Sequence, residues 1–235
     1  MTAAKIVAEL KPLGKPSYKN VLLKHGIQEP VFGVSIEQLK KIQKRIKKDY
    51  QLALDLYDTG IYDAMYLAGL IADDAQMTKK DLQRWVERTT CNSLCCYTVA
   101  WVAAGSPHGH EMALKWIDSK KPHIAAAGWS TLAGLVAITS DDELDLAELK
   151  QLLKRVEKTI HSGPDRVRYV MNNFVISLAA YVKPLFDLAL KTAEKIGRVE
   201  VDVGDTSCKV PYAPDYIRKI EQRGSVGKKR KTIKC

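Results

Sequence analysis

Aromatic side chains make up only 7% of the 235 residues, and phenylalanine occurs three times. β-Branched runs are short, while alanine, leucine and lysine abound, a balance that disfavours a sheet core and points to helices. Cysteine is scarce and odd in number, five in all, with Cys91, Cys95 and Cys96 together in TTCNSLCCYTVAW. The C-x-x-x-C-C spacing suits neither a disulfide framework nor the paired turn ligands of structural zinc, even with His108 and His110 nearby. No disulfide, metal or other cofactor is expected, and reduced thiols fit a reducing compartment. The opening MTAAKIVAEL lacks an apolar stretch behind a basic cap and a small-residue cleavage site. The expected location is cytoplasmic, nucleoid-associated in a prokaryote. Residues 89–110 carry no Lys, Arg, Asp or Glu, which is long enough to raise a membrane span. Polar and turn-forming residues from Asn92 to Gly109 interrupt that stretch, so a buried helix followed by a turn is expected, and no membrane. No linker composition occurs before residue 197. Residues 1–224 therefore read as one domain, with an arm at 198–212 and a basic, flexible tail at 225–235.

What is present is hydrophobic residues in quantity, 46%, and positive charge, a formal +10. The charge is uneven. Arg218, Lys219, Arg223, Lys228, Lys229, Arg230, Lys231 and Lys234 face Glu221 alone. In SIEQLKKIQKRIKKD, Lys40, Lys41, Lys44, Arg45, Lys47 and Lys48 face only Glu37 and Asp49. Two such regions suggest a polyanionic partner, against the plainer reading of a solvated helix face and a loose tail.

Apolar residues recur at three- and four-residue spacing almost throughout, interrupted by short Gly, Pro, Asp and Ser stops, which reads as about a dozen helices. Ser35 with Gln38, and Thr78 with Asp81, mark helix starts. Pro107, Pro122, Pro164 and Pro184 stand at further starts, and Gly60, Gly163 and Gly197 at stops. LALDLYDTG followed by MYLAGLIA recurs as MALKWIDSK followed by WSTLAGLVA, twice pairing a helix that ends at an Asp turn with an almost uncharged one. Helices of the second kind must stack on neighbours to bury their faces. The expected fold is all-α, a HEAT-like helical-repeat solenoid of paired antiparallel helices. After residue 197, Val199, Val201 and Val203 alternate with Glu200 and Asp202 before Gly204, a short hairpin or extended C-terminal arm.

FGVSIEQLKKI near the start, the paired-helix layout to about residue 197 and RVRYVMNNFVISLA at 166–179 resemble the AlkD-type DNA alkylation repair family, the HEAT-like alkylpurine DNA glycosylases. Within it, the R-V-R-x-x-M-N-N string and the V-x-V-D-x-G-x-T-x-C-K-x-P arm at 199–211 resemble one subgroup. The resemblance implies a basic concave groove that holds duplex DNA, alkylated or otherwise damaged, by its backbone, with no oligomer required. In active members it implies hydrolysis of the glycosidic bond of cationic N3- or N7-alkylpurines. A carboxylate there stabilises the oxocarbenium-like sugar, and aromatic faces hold the cationic nucleotide. The expected Trp and Asp fall at Asn92 and at Cys95 or Cys96, the expected Arg at Ala125 or Ala126, and a second Trp at Asn172 or Asn173. No carboxylate occurs between Glu87 and Glu111, and no Lys, Arg, Asp or Glu between Lys121 and Asp141.

Catalytic candidates are accordingly weak: Trp101 for the aromatic role, Asp63 or Asp165 for the carboxylate. Whether the chain is an enzyme is left open by the sequence. DNA contact is expected from Lys40, Lys41, Lys44, Arg45, Lys47, Lys48, Arg166, Arg168, Tyr169, Asn172, Asn173, Lys228, Lys229, Arg230 and Lys231. Arg166 and Arg168 oppose the macrodipole of the helix they begin unless a carboxylate or phosphate offsets them. The competing readings are a DNA binder with doubtful glycosylase chemistry, an active alkylpurine glycosylase, and a protein-binding scaffold. Asp202, Asp205, Cys208 and Lys209 in the arm are candidates to hold a cation or close a site, or form a turn covering the end of a solenoid. His25 and His161 read as helix-end caps.

Overall fold

The computed structural model describes residues 1–89, 91–204 and 206–234. Thirteen α-helices occur among the described residues, and no strand. They are α1 (Ala3–Leu10), α2 (Pro16–Lys24), α3 (Ile36–Ile46), α4 (Tyr50–Asp58), α5 (Tyr62–Ile71), α6 (Lys79–Glu87) and α7 (Ala100–Gly105). Then follow α8 (Gly109–Ile117), α9 (Pro122–Ile138), α10 (Leu146–Thr159), α11 (Asp165–Tyr181), α12 (Phe186–Ile196) and α13 (Ala213–Gln222). A π-helical segment, Leu94–Val99, leads directly into α7. The all-α expectation holds, and the described residues of the arm, 198–204 and 206–212, form no strand; Asp205 lies outside the described residues.

The chain divides into two compact units, the first comprising Met1–Met112 with Gly204, Thr206 and Lys234, the second Ala113–Val203 with Ser207–Ile233. The division falls within α8, not at a linker.

In the first unit α5 is the centre: all ten of its residues are buried, against α1, α3, α4 and the π segment. Its partner α4 carries Tyr57, whose ring stacks on Trp85 of α6 at 4.1 Å and whose hydroxyl donates to the Trp85 carbonyl at 2.8 Å. A Cβ on Gly69 would come within 2.6 Å of Thr98 Cγ2, so only glycine lets α5 approach the π segment this closely. In the second unit α9 and α11 form the main packed pair, with Trp129 against Phe174 at 5.2 Å, and α12 and α13 close over α11. The two sequence repeats are the pairs α4/α5 and α8/α9, in which the second helix is the more apolar.

Caps follow the local chemistry. Ser35 Oγ accepts from the Gln38 N–H at 3.4 Å, and Thr78 with Asp81 forms a reciprocal capping box at the start of α6. Asp81 also accepts from the Tyr50 hydroxyl at 2.8 Å. Partial burial raises the Asp81 carboxyl, but its bonds from Thr78 and Tyr50 outweigh that and hold it below its ordinary 3.8. Such a group stabilises the fold above its unfolded value and loses that contribution as pH falls through the lower folded one. Asp81→Ala is expected to cost about 1 kcal/mol at pH 7, with the deficit shrinking below pH 3.8; urea titrations at pH 7 and pH 3 measure both.

Among the described residues no single helix is long and apolar enough to cross a membrane. The uncharged stretch becomes the π segment and α7, whose side chains are mostly buried in the protein.

Candidate nucleic-acid interface

α3 is amphipathic: Leu39 and Ile42 enter the core, and this forces the intervening basic residues outward. Lys41, Lys44, Arg45, Lys47 and Lys48 are exposed and Lys40 is half-buried. Three of the six are ion-paired, Lys41 with Glu37 at 2.9 Å, Arg45 with Glu9 at 2.6 Å and Lys48 with Asp73 at 3.3 Å. Lys40, Lys44 and Lys47 have no carboxylate within such reach among the described residues. Exposed pairs of this kind are worth little, so a phosphate can exchange for the carboxylate.

The π segment turns its thiols inward. Cys95 is 0% and Cys96 6% exposed, and Cys95 Sγ lies 3.2 Å from the Asn92 carbonyl. Among the described residues no group of three His, Cys, Asp or Glu side chains is placed to hold a metal. Tyr97 is the one exposed residue of the segment, 43% accessible. Its ring lies 5.6 Å from Trp101, which meets Tyr66 edge-on at 5.7 Å, and Tyr66 in turn neighbours Tyr62 at 6.2 Å. Burial pushes the Tyr62 phenol up, so it stays neutral while accepting from Ser93 Oγ. The result is an aromatic step with Tyr97 at its outer edge.

Asp63, on the first turn of α5, is 0% exposed. Its two oxygens accept the N–H groups of Phe32 at 2.6 Å and Val34 at 2.7 Å. The carboxylate thus holds the loop that enters α3, and it does not face solvent. Asp165 opens α11 and is ion-paired with Arg168, while also accepting the Asp202 N–H at 3.3 Å. Arg166 lies over the Tyr169 ring at 5.1 Å. Asn172 is 1% exposed and its amide donates to the Pro211 carbonyl at 2.8 Å, while Asn173 is half-buried. Asp165 and Asn172 together fasten both ends of the extended arm to α11. The Arg198 guanidinium over Tyr212 adds a third contact. His161 Nε2 lies 2.9 Å from the Ile196 carbonyl at the end of α12, and His25 Nδ1 3.2 Å from the Val21 carbonyl, as expected of helix-end caps.

The basic tail lies on helix ends. In the second unit the Gly227 N–H donates to the Ala180 carbonyl of α11, the Arg230 N–H to the Ala137 carbonyl of α9, and Lys229 Nζ to the Val136 carbonyl at 2.9 Å. Lys229 is also paired with Asp141 at 2.8 Å. In the first unit Lys234 Nζ donates to the Ala72 carbonyl at the end of α5 and pairs with Asp74 at 2.6 Å. Each bond satisfies a carbonyl that a helix end leaves open, and the ammonium groups complement the negative end of the dipole. Lys228, Arg230 and Lys231 are left exposed. The sequence offers Trp101 alone for an aromatic role; the structure adds its pairing with Tyr97 and the anchoring role of Lys234. A Y-x-x-x-W spacing was visible for the first; nothing local marked the second.

Residues 6–217 match the DNA alkylation repair enzyme family. The chain belongs to that family. Two family relatives from Listeria, the uncharacterized proteins Lin0241 of L. innocua and Lmo0209 of L. monocytogenes, are 31% and 30% identical over 229 residues, covering 95% of this chain and 99% of theirs. A solved structure described as "a new family of proteins related to the HEAT-like repeat DNA glycosylases with affinity for branched DNA structures" is 36% identical with a TM-score of 0.93, covering all of both chains. The fold of this DNA alkylation repair family member is therefore the HEAT-like helical repeat. At the positions where active glycosylases of the family are expected to carry Asp and Arg, Cys95, Cys96, Ala125 and Ala126 are all buried.

Proposed function

We propose that the protein binds DNA, branched structures in preference to linear duplex, and does not cleave glycosidic bonds. The observation that carries this reading is the π segment, which presents an exposed aromatic step and no carboxylate. Backbone contacts would come from Lys40, Lys41, Lys44, Arg45, Lys47 and Lys48 in the first unit, and from Arg166, Tyr169 and Asn173 of α11 and the exposed tail residues Lys228, Arg230 and Lys231 in the second. Arg168, Lys229 and Asn172 would contribute through the segments they fasten. Tyr97, backed by Trp101, would stack on a base left unpaired at a branch point, as aromatic faces do in single-strand binding. The affinity of the 36%-identical relative for branched DNA supports the choice of ligand.

Fluorescence anisotropy with a four-way junction and a linear duplex of equal length tests the reading. Affinity is expected to fall with salt at a log–log slope of about −0.9 for each phosphate contact. Single-turnover assays on methylated DNA are expected to release neither 3-methyladenine nor 7-methylguanine; release of either base would overturn the non-enzymatic half. Tyr97→Ala is expected to weaken junction binding by about 1–3 kcal/mol, the worth of one stacked base, with little change for intact duplex.

A further inference from the structure

The second unit carries a basic groove on another face of its helices. α10 and α12 pack together, and the channel between them has a volume of about 290 Å³. Its rim is lysine: Lys150, Lys154 and Lys158 from α10, Lys191 and Lys195 from α12, all exposed. Leu153 and Thr192, 1% and 4% exposed, form the floor. The single carboxylate in the groove, Glu157, is 3.3 Å from Lys195. Lys150, Lys154, Lys158 and Lys191 have no ion-pair partner among the described residues.

This arrangement is unfavourable for the isolated protein. Lysines four residues apart on one helix repel each other, and here that spacing occurs twice on α10 and once on α12. The neighbouring groove between α8 and α10 shows the contrast. There Arg155 is paired with Asp118 at 2.7 Å and its second guanidinium nitrogen donates to the Ile117 carbonyl. Charge is balanced on one side of α10 and left unbalanced on the other. At 1.5 Å per residue, the α10 row spans about 12 Å, the axial length of three to four phosphates on one strand at about 3.4 Å each.

We infer that the α10/α12 groove holds the phosphate backbone of a second DNA arm. The inference rests on the proposed DNA binding and adds to it a second backbone-holding surface, one that lies wholly within the second unit. A nucleic acid fits better than a membrane because the groove offers one exposed leucine, Leu188, and no broader apolar face to insert.

The test is the double reversal Lys154→Glu/Lys191→Glu in the full chain, measured against a four-way junction, a linear duplex and polyglutamate. Both substitutions are on exposed positions, and unchanged thermal unfolding checks the fold. The variant is expected to lose at least tenfold in junction affinity and about two units of the salt slope, while duplex affinity stays within twofold. Retained junction preference, or equal losses on both DNAs, overturns the inference and leaves the proposed function standing. If the reversal instead abolishes binding of polyglutamate and spares the junction, the occupant is an acidic protein segment and the inference falls. Failure of the unaltered protein to bind either DNA removes the proposed function and the inference with it.

Discussion

Asp63→Ala is expected to be the most damaging single substitution at any candidate site residue, costing about 3–6 kcal/mol, since each hydrogen bond to a charged acceptor is worth about 1.5–3. The carboxylate is fully buried and receives two backbone N–H groups, so its removal orphans both donors in a dry interior. The loop it holds is closely packed at its glycine. Gly33, between the two donors, has φ +82, and a Cβ there would lie 2.7 Å from the Lys19 nitrogen and 2.8 Å from the Lys15 carbonyl. The Tyr62 N–H bond to the Pro30 carbonyl at 3.0 Å ties the same loop to α5. At about 2–4 °C per kcal/mol for a chain of this size, the melting temperature should drop by roughly 6 to 24 °C. A drop below about 2 °C would show that the loop is held by something else. Were Asp63 a reacting carboxylate, Asp63→Asn would instead abolish an activity while leaving unfolding unchanged.

Removing residues 225–235 should cost about 2–4 kcal/mol, summed from several helix-end bonds at about 0.5–1.5 each, and Lys234→Ala alone about half of that. In the second unit the deletion uncovers carbonyls at the ends of α9 and α11; in the first it strands Asp74. Burial pushes the Asp74 carboxyl above its ordinary 3.8, and Lys234 counters that shift. Burial likewise pushes the Lys234 ammonium down, countered by Asp74. A carboxyl raised in the folded state binds its proton more tightly there than in the unfolded chain, so its contribution weakens as pH rises through the folded value. Without Lys234 the rise is larger. The variant's deficit should therefore be smallest near pH 4 and grow toward pH 7, and denaturant midpoints across that range would reveal a flat or opposite trend. Junction affinity at low salt should survive the deletion in large part, because only Lys228, Arg230 and Lys231 present free charge; its collapse would make the tail the principal binding element.

The fold was legible because its determinants are local. Three- and four-residue spacing, the Asp81 capping box and the two-fold repeat of polar then apolar helix lie within windows of about twenty residues. The site was legible in part. Basic residues on α3 could be placed outward from Leu39 and Ile42 alone, but the roles of Arg168 and Asn172 depend on Asp165, Asp202 and Pro211, and the last two lie more than thirty residues away in sequence. Asp63 read as a stray acid because its partners are backbone N–H groups, which every sequence contains. The tail read as flexible for the same reason: the atoms that receive Lys229 and Lys234 include helix-end carbonyls. The lysines are separated by Leu152, Leu153, Val156 and Glu157 on α10 and by Thr192, Ala193 and Glu194 on α12, so no charge run exposed them.

The wide turn at Leu94–Val99 has a bearing on descent as well as on shape. A π turn, closed by i→i+5 bonds, holds one residue more than the α turn it replaces. Positions beyond it are therefore displaced by one against a helix that is regular there. Within it Tyr97 faces outward while the two thiols just before it, Cys95 and Cys96, stay buried. A single insertion or deletion here can exchange the residue a helix shows to its ligand while leaving the core it packs against almost unchanged.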